Sequence, residues 1–490
     1  MTREWGGALA AHMRRIAALR QVEMLLDWDR ETQMPPKGAA QRAEQVAAVA
    51  EALHGLETDP RLADWLATAA DGAEGTAAVN VAEAARVHAR ATRVPARLAA
   101  EIARAAVEGQ TAWAAARAAS DFAGFAPGLA RIVALKRAEA DCLAGDGAPY
   151  DALLDDYEPG ATAAEVAAVF ERLRPGLVGL RERIAGAARR PERLGGRFPK
   201  DAQLALAGRI AGVFGYDRAA GRLDLAVHPF SSGTGGDVRI TTRIDEADPF
   251  QCLHATIHEV GHAVYEQGLD PHLAFQPAGA AASMGVHESQ SRLFENHFGR
   301  SRAFCEWLAP AMAAAFGRAL DPAALHEAVN VVEAGFIRTE ADEVHYNLHV
   351  MLRFDLERAL IDGRLEVPDL EAAWNERFLR DFGSAVPDAR SGVLQDVHWS
   401  SAAFGYFPTY TLGTMYAAEL DAALRREVAV DAALSAGELA PVVAWLNARI
   451  HRPGRRLAAR RLIAGAIGRE PDERALLRYL NAKFGALYGV

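Results

Sequence analysis

The sequence predicts an almost wholly helical protein with one small antiparallel β-structure. Three observations lead there. Ala, Leu, Arg and Glu dominate, and apolar residues recur at three- and four-residue spacing along most of the chain. Proline and glycine fall mainly between the periodic stretches. Only residues 222–244 switch to an alternating pattern.

Taken in order, Met34-Pro35-Pro36-Lys37-Gly38 separates a first helix from a second. An acidic stretch follows much later, with Asp151, Asp155, Asp156 and Glu158 close to Tyr150 and Tyr157. It lacks the glycine and ligand spacing of a calcium loop and reads as a helix end and turn. Glu158-Pro159-Gly160 closes it. Residues 162–187 then place Ala163, Val166, Val169, Phe170, Leu173, Leu177 and Leu180 on one broad face. Leu223, Leu225, Val227 and Val238, Ile240, Thr242 predict two short strands, with Ser231-Ser232-Gly233-Thr234-Gly235-Gly236 as the turn between them. Asp248-Pro249 opens the next helix, as cap and first-turn residue, and Gly268 stops it. A further helix is expected through Glu288, Leu293, Phe294, Glu295 and Phe298, and another through Val332, Phe336, Ile337 and Arg338. No fixed-period repeat or low-complexity linker divides the 490 residues, so they read as one domain.

Composition narrows the function. Half the residues are hydrophobic and 24% are charged, as expected of a chain with a large core. The net charge of −10, from 54 basic and 64 acidic residues, leaves no basic excess for a nucleic acid. Three widely spaced cysteines (Cys142, Cys252, Cys305) fit neither a disulfide framework nor a cysteine zinc site and point to a reducing compartment. Met1-Thr2-Arg3-Glu4-Trp5 lacks an apolar signal core, and no run approaches the ~18 apolar residues of a membrane span. The expectation is a cytoplasmic protein.

The helix after the strands contains His258-Glu259-Val260-Gly261-His262. Histidines at i and i+4 stand one turn apart on one face, so both imidazoles reach one ion. Glu259, beside the first of them, can hold a water without coordinating. A metzincin would have Gly at 265 and His at 268, but these are Tyr265 and Gly268. The third ligand must come from elsewhere. Glu288 is the candidate, with His287 and Glu295 as rivals. On residue types alone, Arg338 reads as a helical ion pair with Asp342, and His398 as a packed histidine in an aromatic loop. Tyr406 and Tyr410 read as structural hydrogen-bond donors, and Asp237 and Arg239, two apart on a strand, as a pair or as cleft lining.

With these motifs in view, the chain resembles the carboxypeptidase Taq family of metallocarboxypeptidases over nearly its whole length. The likeness rests on His258–His262, on His287-Glu288-Ser289-Gln290, and on Asp237, Arg239 and Thr241. It rests also on Ile337, Arg338, Ala341 and Asp342, on Gly392, Gln395, Asp396, His398 and Trp399, and on Leu26-Asp27-Trp28-Asp29 with Met34-Pro35. The resemblance implies a two-lobed helical zincin fold like neurolysin, with a deep groove and a small sheet beside it. It implies a homodimer that removes single residues from free peptide C-termini with broad specificity. Zinc, with cobalt as the alternative ion, would be held by His258, His262 and Glu288. Glu259 would be the general base and Arg338 the anchor for the terminal carboxylate, with Asp237 and Arg239 as further substrate-binding residues. Tyr406, Tyr410 or His398 would donate to the oxyanion. An oligopeptidase or dipeptidyl carboxypeptidase on the same fold, or a metal-free scaffold, are the competing readings.

Overall fold

The computed structural model describes residues 7–490, so Met1–Trp5 lies outside the described residues. Helices dominate, and three short strands form the one sheet among the described residues. The chain builds two compact units from alternating segments. The first comprises Met1–Thr92 (described from Gly7), Arg193–Val329 and Tyr416–Pro471; the second comprises Arg93–Glu192, Asn330–Met415 and Asp472–Val490. No described helix is long and apolar enough to cross a membrane.

In the first unit, the helix Gly7–Thr32 ends before Pro35-Pro36, and the next begins at Ala39, as the proline pair dictates. The sheet corrects the two-strand expectation. β1 (Leu223–Leu225) runs parallel to β3 (Asp237–Thr242), and β2 (Ser231–Thr234) pairs antiparallel with β3, giving the order β1-β3-β2. The segment expected to turn is thus itself a strand. Gly235-Gly236 alone makes the turn, with Gly235 at φ +63 in the first central position of a two-residue hairpin. β2 carries no apolar alternation because it is held through backbone pairing and by Ser232 Oγ, which donates to the Met24 carbonyl at 3.2 Å. Val227 falls beyond β1 and is 78% exposed. Val238 and Ile240 face the core, and Thr242 Oγ1 donates to the Cys252 carbonyl at 3.0 Å. That bond fixes β3 against the helix Phe250–Gly268.

That helix starts where Asp248 Oδ1 accepts from the Phe250 amide at 3.0 Å. It buries Cys252, Leu253, Ile257, Val260, Ala263 and Val264. The helix Met284–Arg292 opens on Ser283, whose Oγ accepts from the Val286 amide, and passes into a π-helical stretch, Leu293–Gly299. Such wide turns are often found at functional sites.

In the second unit, Thr162 and Glu165 form a reciprocal capping box at the head of the helix Ala163–Ala185. The helix Tyr346–Ile361 is buried on nearly every side. Its polar residues His349, Arg353 and Glu357 lie four apart in a single stripe, all fully buried.

Candidate active site

The metal candidate belongs to the first unit. Gly261 lets the two helices meet: a Cβ there would lie 2.6 Å from Ser291 Cα and 2.7 Å from the Gln290 carbonyl oxygen. This approach brings Glu288 to the histidines. Its Oε2 stands 3.8 Å from His258 Nε2 and 3.6 Å from His262 Nε2. One ligand atom from each of the three residues falls within 4.8 Å of the others, a span that suits a single ion. Gly261→Ala should push the helices apart, lowering stability by about 1–3 kcal/mol and weakening metal retention in dialysis. An unchanged Tm with full metal content would contradict this packing.

The outer contacts aim the ligand atoms. Glu295 Oε2 lies 2.9 Å from His258 Nδ1, so that ring donates its Nδ1–H and keeps Nε2 bare. Arg292 Nε donates to Glu288 Oε1 at 2.7 Å, leaving Oε2 toward the histidines. His262 Nδ1 lies 2.6 Å from His287 Nδ1, and His287 Nε2 lies 3.0 Å from Glu266 Oε1. The Glu266 carboxylate only accepts, so His287 donates to it and accepts from His262, whose Nε2 is left bare. His287 and Glu295, the rivals for third ligand, therefore stand behind His258 and His262. These partners suit a divalent cation. The Glu266 role was not visible in the sequence, although its i+4 offset from His262 placed it on the same helix face.

Glu259 is buried and stands outside the three-ligand set. Burial pushes its carboxyl up to about 7; His258 opposes the rise, and Glu288 and Glu295 add to it.

The second unit holds Arg338, His398, Tyr406 and Tyr410. Arg338 does not lie in a helix: residues 331–337 are irregular, and a single 3-10 turn, Arg338–Glu340, follows. The reason is long-range. Gln395 Oε1 accepts from the Arg338 amide at 2.8 Å, and Gln395 Nε2 donates to the Phe336 carbonyl at 2.9 Å. These bonds hold the segment extended. Nor does Arg338 pair with Asp342, which instead accepts from His345 and from the backbone amides of Glu333 and Val344. Arg338 pairs with Asp396, through Nη2 at 2.7 Å and Nε at 3.1 Å, and its Nη1 donates to Tyr346 at 3.3 Å. Arg353, which sequence reading missed, donates from Nε to the other oxygen of Asp396 at 2.6 Å. The two cations hold Asp396 far below the ordinary aspartate range despite its burial.

His398, Tyr406 and Tyr410 gather beside this cluster. His398 Nε2 lies 3.3 Å from the Tyr410 hydroxyl, the tyrosine rings are 5.2 Å apart, and the Arg338 guanidinium lies 4.9 Å from the Tyr410 ring centre. Burial pulls His398 down to about 4, so it is neutral at ordinary pH. Glu357 was also missed. It accepts from Tyr150, Trp399 Nε1 and the Gly405 amide, tying the 395–407 loop to the Tyr346–Ile361 helix. The signal for Arg353 and Glu357 was charge at i, i+4 on one face of a segment, 350–361, rich in large apolar residues.

Asp237 and Arg239, in the first unit, pair with each other at 2.8 and 2.9 Å, and the guanidinium lies 4.2 Å from the Trp28 ring centre. Two sequence motifs thus meet in one contact between the first helix and β3.

A family model described as carboxypeptidase Taq (M32) metallopeptidase matches residues 8–484. Thermostable carboxypeptidase 1 of Thermus thermophilus is 43% identical, with 98% of each chain covered. Carboxypeptidase 1 of Bacillus subtilis is 34% identical over 97% of each. Among solved structures, the M32 carboxypeptidase from Deinococcus radiodurans R1 is 37% identical with a TM-score of 0.95, covering 99% of both chains. Metallocarboxypeptidase 1 of Trypanosoma cruzi is 34% identical with a TM-score of 0.94, covering 97% of this chain and 98% of that one.

Proposed function

The chain belongs to the carboxypeptidase Taq (M32) metallopeptidase family and is a metal-dependent carboxypeptidase, and from that premise we propose that it releases single C-terminal residues from peptides with broad specificity. The observation that carries the reading is the convergence of His258 Nε2, His262 Nε2 and Glu288 Oε2, each aimed by its own outer partner. These three residues would hold zinc, or cobalt in its place. The ion, when bound, supplies Lewis acidity toward water and the scissile carbonyl. Glu259, beside the ligands without joining them, takes the proton of the attacking water at its carboxylate and returns it to the leaving amine. Arg338 binds the terminal carboxylate. Asp396 occupies its Nε–Nη2 edge, and the Nη1–Nη2 end keeps N–H donors for a second carboxylate. One of Tyr406, Tyr410 and His398 supplies the donor to the developing oxyanion. Asp237 and Arg239 serve this reading by fixing β3.

One catalytic domain, a homodimer and a cytoplasmic setting complete the proposal. The family match from 8 to 484 supports the first, and three widely spaced cysteines, two of them buried, are consistent with the last.

Mass spectrometry of a mixed peptide set incubated with the metal-loaded protein tests the reaction. Stepwise loss of one C-terminal residue, stopped by a chelator, is expected; internal cuts or dipeptide release would overturn it. The anchor is tested separately. Arg338→Ala should lower kcat/KM for free acids by about 10–100-fold, the scale of lost charge-assisted hydrogen bonds, and leave the slow hydrolysis of peptide amides nearly unchanged. If acids and amides fall together with a drop in Tm, Arg338 is structural.

A further inference from the structure

An arginine already bound to an aspartate is a poor receptor for another carboxylate. The pair is formally neutral, and the incoming anion meets the aspartate as well as the guanidinium. Arg338 is in that position, with Asp396 on one edge of its fork. Arg353 changes the balance. It donates to the opposite oxygen of Asp396, so one carboxylate is shared by two guanidiniums and the buried cluster carries a formal excess of one positive charge.

The surroundings preserve that excess. Arg353 has no solvent exposure, and its guanidinium lies 4.6 Å from the Trp374 ring centre and 5.5 Å from that of Phe407. Its Nη1 donates to the His349 carbonyl at 2.7 Å, within its own helix. Burial lowers Arg353 to about 10, partly offset by Asp396, so it remains charged at neutral pH. The neighbouring histidines do not cancel or add charge: burial holds His349 well below its usual range, and His398 is neutral. Glu357, one turn along, accepts from the Tyr150 hydroxyl, Trp399 Nε1 and the Gly405 amide. Burial pushes its carboxyl up to about 7, so near neutrality it offers only part of a negative charge.

We propose that Arg353 is a specificity-determining residue for free C-termini, acting through Asp396 without touching substrate, by leaving Arg338 an excess positive charge for the terminal carboxylate. The inference rests on Arg338 being the anchor. A buried excess charge is costly until an anion arrives, so the free acid gains what an amide cannot.

The measurement is the acid-to-amide ratio of kcat/KM, with Tm alongside, in three variants. Arg353→Gln keeps a donor for Asp396 but removes the charge. The ratio should fall at least about tenfold, the scale of one charge-assisted contact at a desolvated site. Adding Asp396→Asn to Arg353→Gln restores the single excess charge on Arg338, and the ratio should recover toward wild type. A merely structural Arg353 predicts the reverse, a second lesion compounding the first. The double variant also carries the test alone if the single one does not fold: a ratio as low as that of Arg338→Ala overturns the proposal. An unchanged ratio in Arg353→Gln overturns it too, provided Arg338→Ala has lost the ratio. If Arg338→Ala itself keeps the ratio, the anchor reading has failed instead.

Discussion

Glu259→Gln is expected to keep the metal and lose turnover by about 10²–10⁴-fold, the usual cost of removing a general base. Position is the reason. Glu259 adjoins the candidate ligand His258 yet stands outside the three-ligand set, and its own side chain is buried. Glutamine preserves the shape and can still accept a hydrogen bond from a water, but it cannot take the proton. The loss should therefore appear in kcat, with metal content and Tm close to wild type. Near-normal turnover of a metal-loaded variant would remove Glu259 from the mechanism.

Glu288→Ala should strip the metal far more readily than Glu295→Ala. As the proposed third ligand, Glu288 would contribute an anionic atom, and without it the two histidines would have to hold a dication with no compensating charge. Glu295 acts one step further out, on His258 Nδ1, and such partners typically change affinity by about 10–100-fold. Glu295 also binds Arg292 and Arg300, so its loss will cost some stability as well. Dialysis against a mild chelator followed by metal analysis separates the two. Equal retention would show that Glu288 is not a ligand.

Local spacing was legible in the sequence, and long-range partnership was not. The two histidines needed only the period of a helix, and the 250–268 helix begins and ends close to where its proline and glycine place it. The three strands were legible only where side chains alternate. β2, whose pairing is a matter of backbone and of one serine hydroxyl, reads as a turn. The 331–337 segment has apolar residues at helical spacing and is held out of a helix by Gln395, 57 residues from Arg338. The true partner of Arg338 is equally remote, and a neighbour at i+4 was the wrong place to look. Arg353 and Glu357 went unread because nothing local shows that their helix is buried on nearly every side.

The interleaving of the two units also sets an order of events during synthesis. The first unit needs Tyr416–Pro471 and the second needs Asp472–Val490, so neither can close until its own late segment has left the ribosome. His258, His262 and Glu288 emerge well before that. At about 5–20 residues per second, the nascent chain carries these side chains for many seconds without a complete unit around them. A chain cut short near residue 415 would lose a piece of each unit rather than one of them. Premature termination should then yield no half-folded remnant with a working site, only material for the cell's proteases.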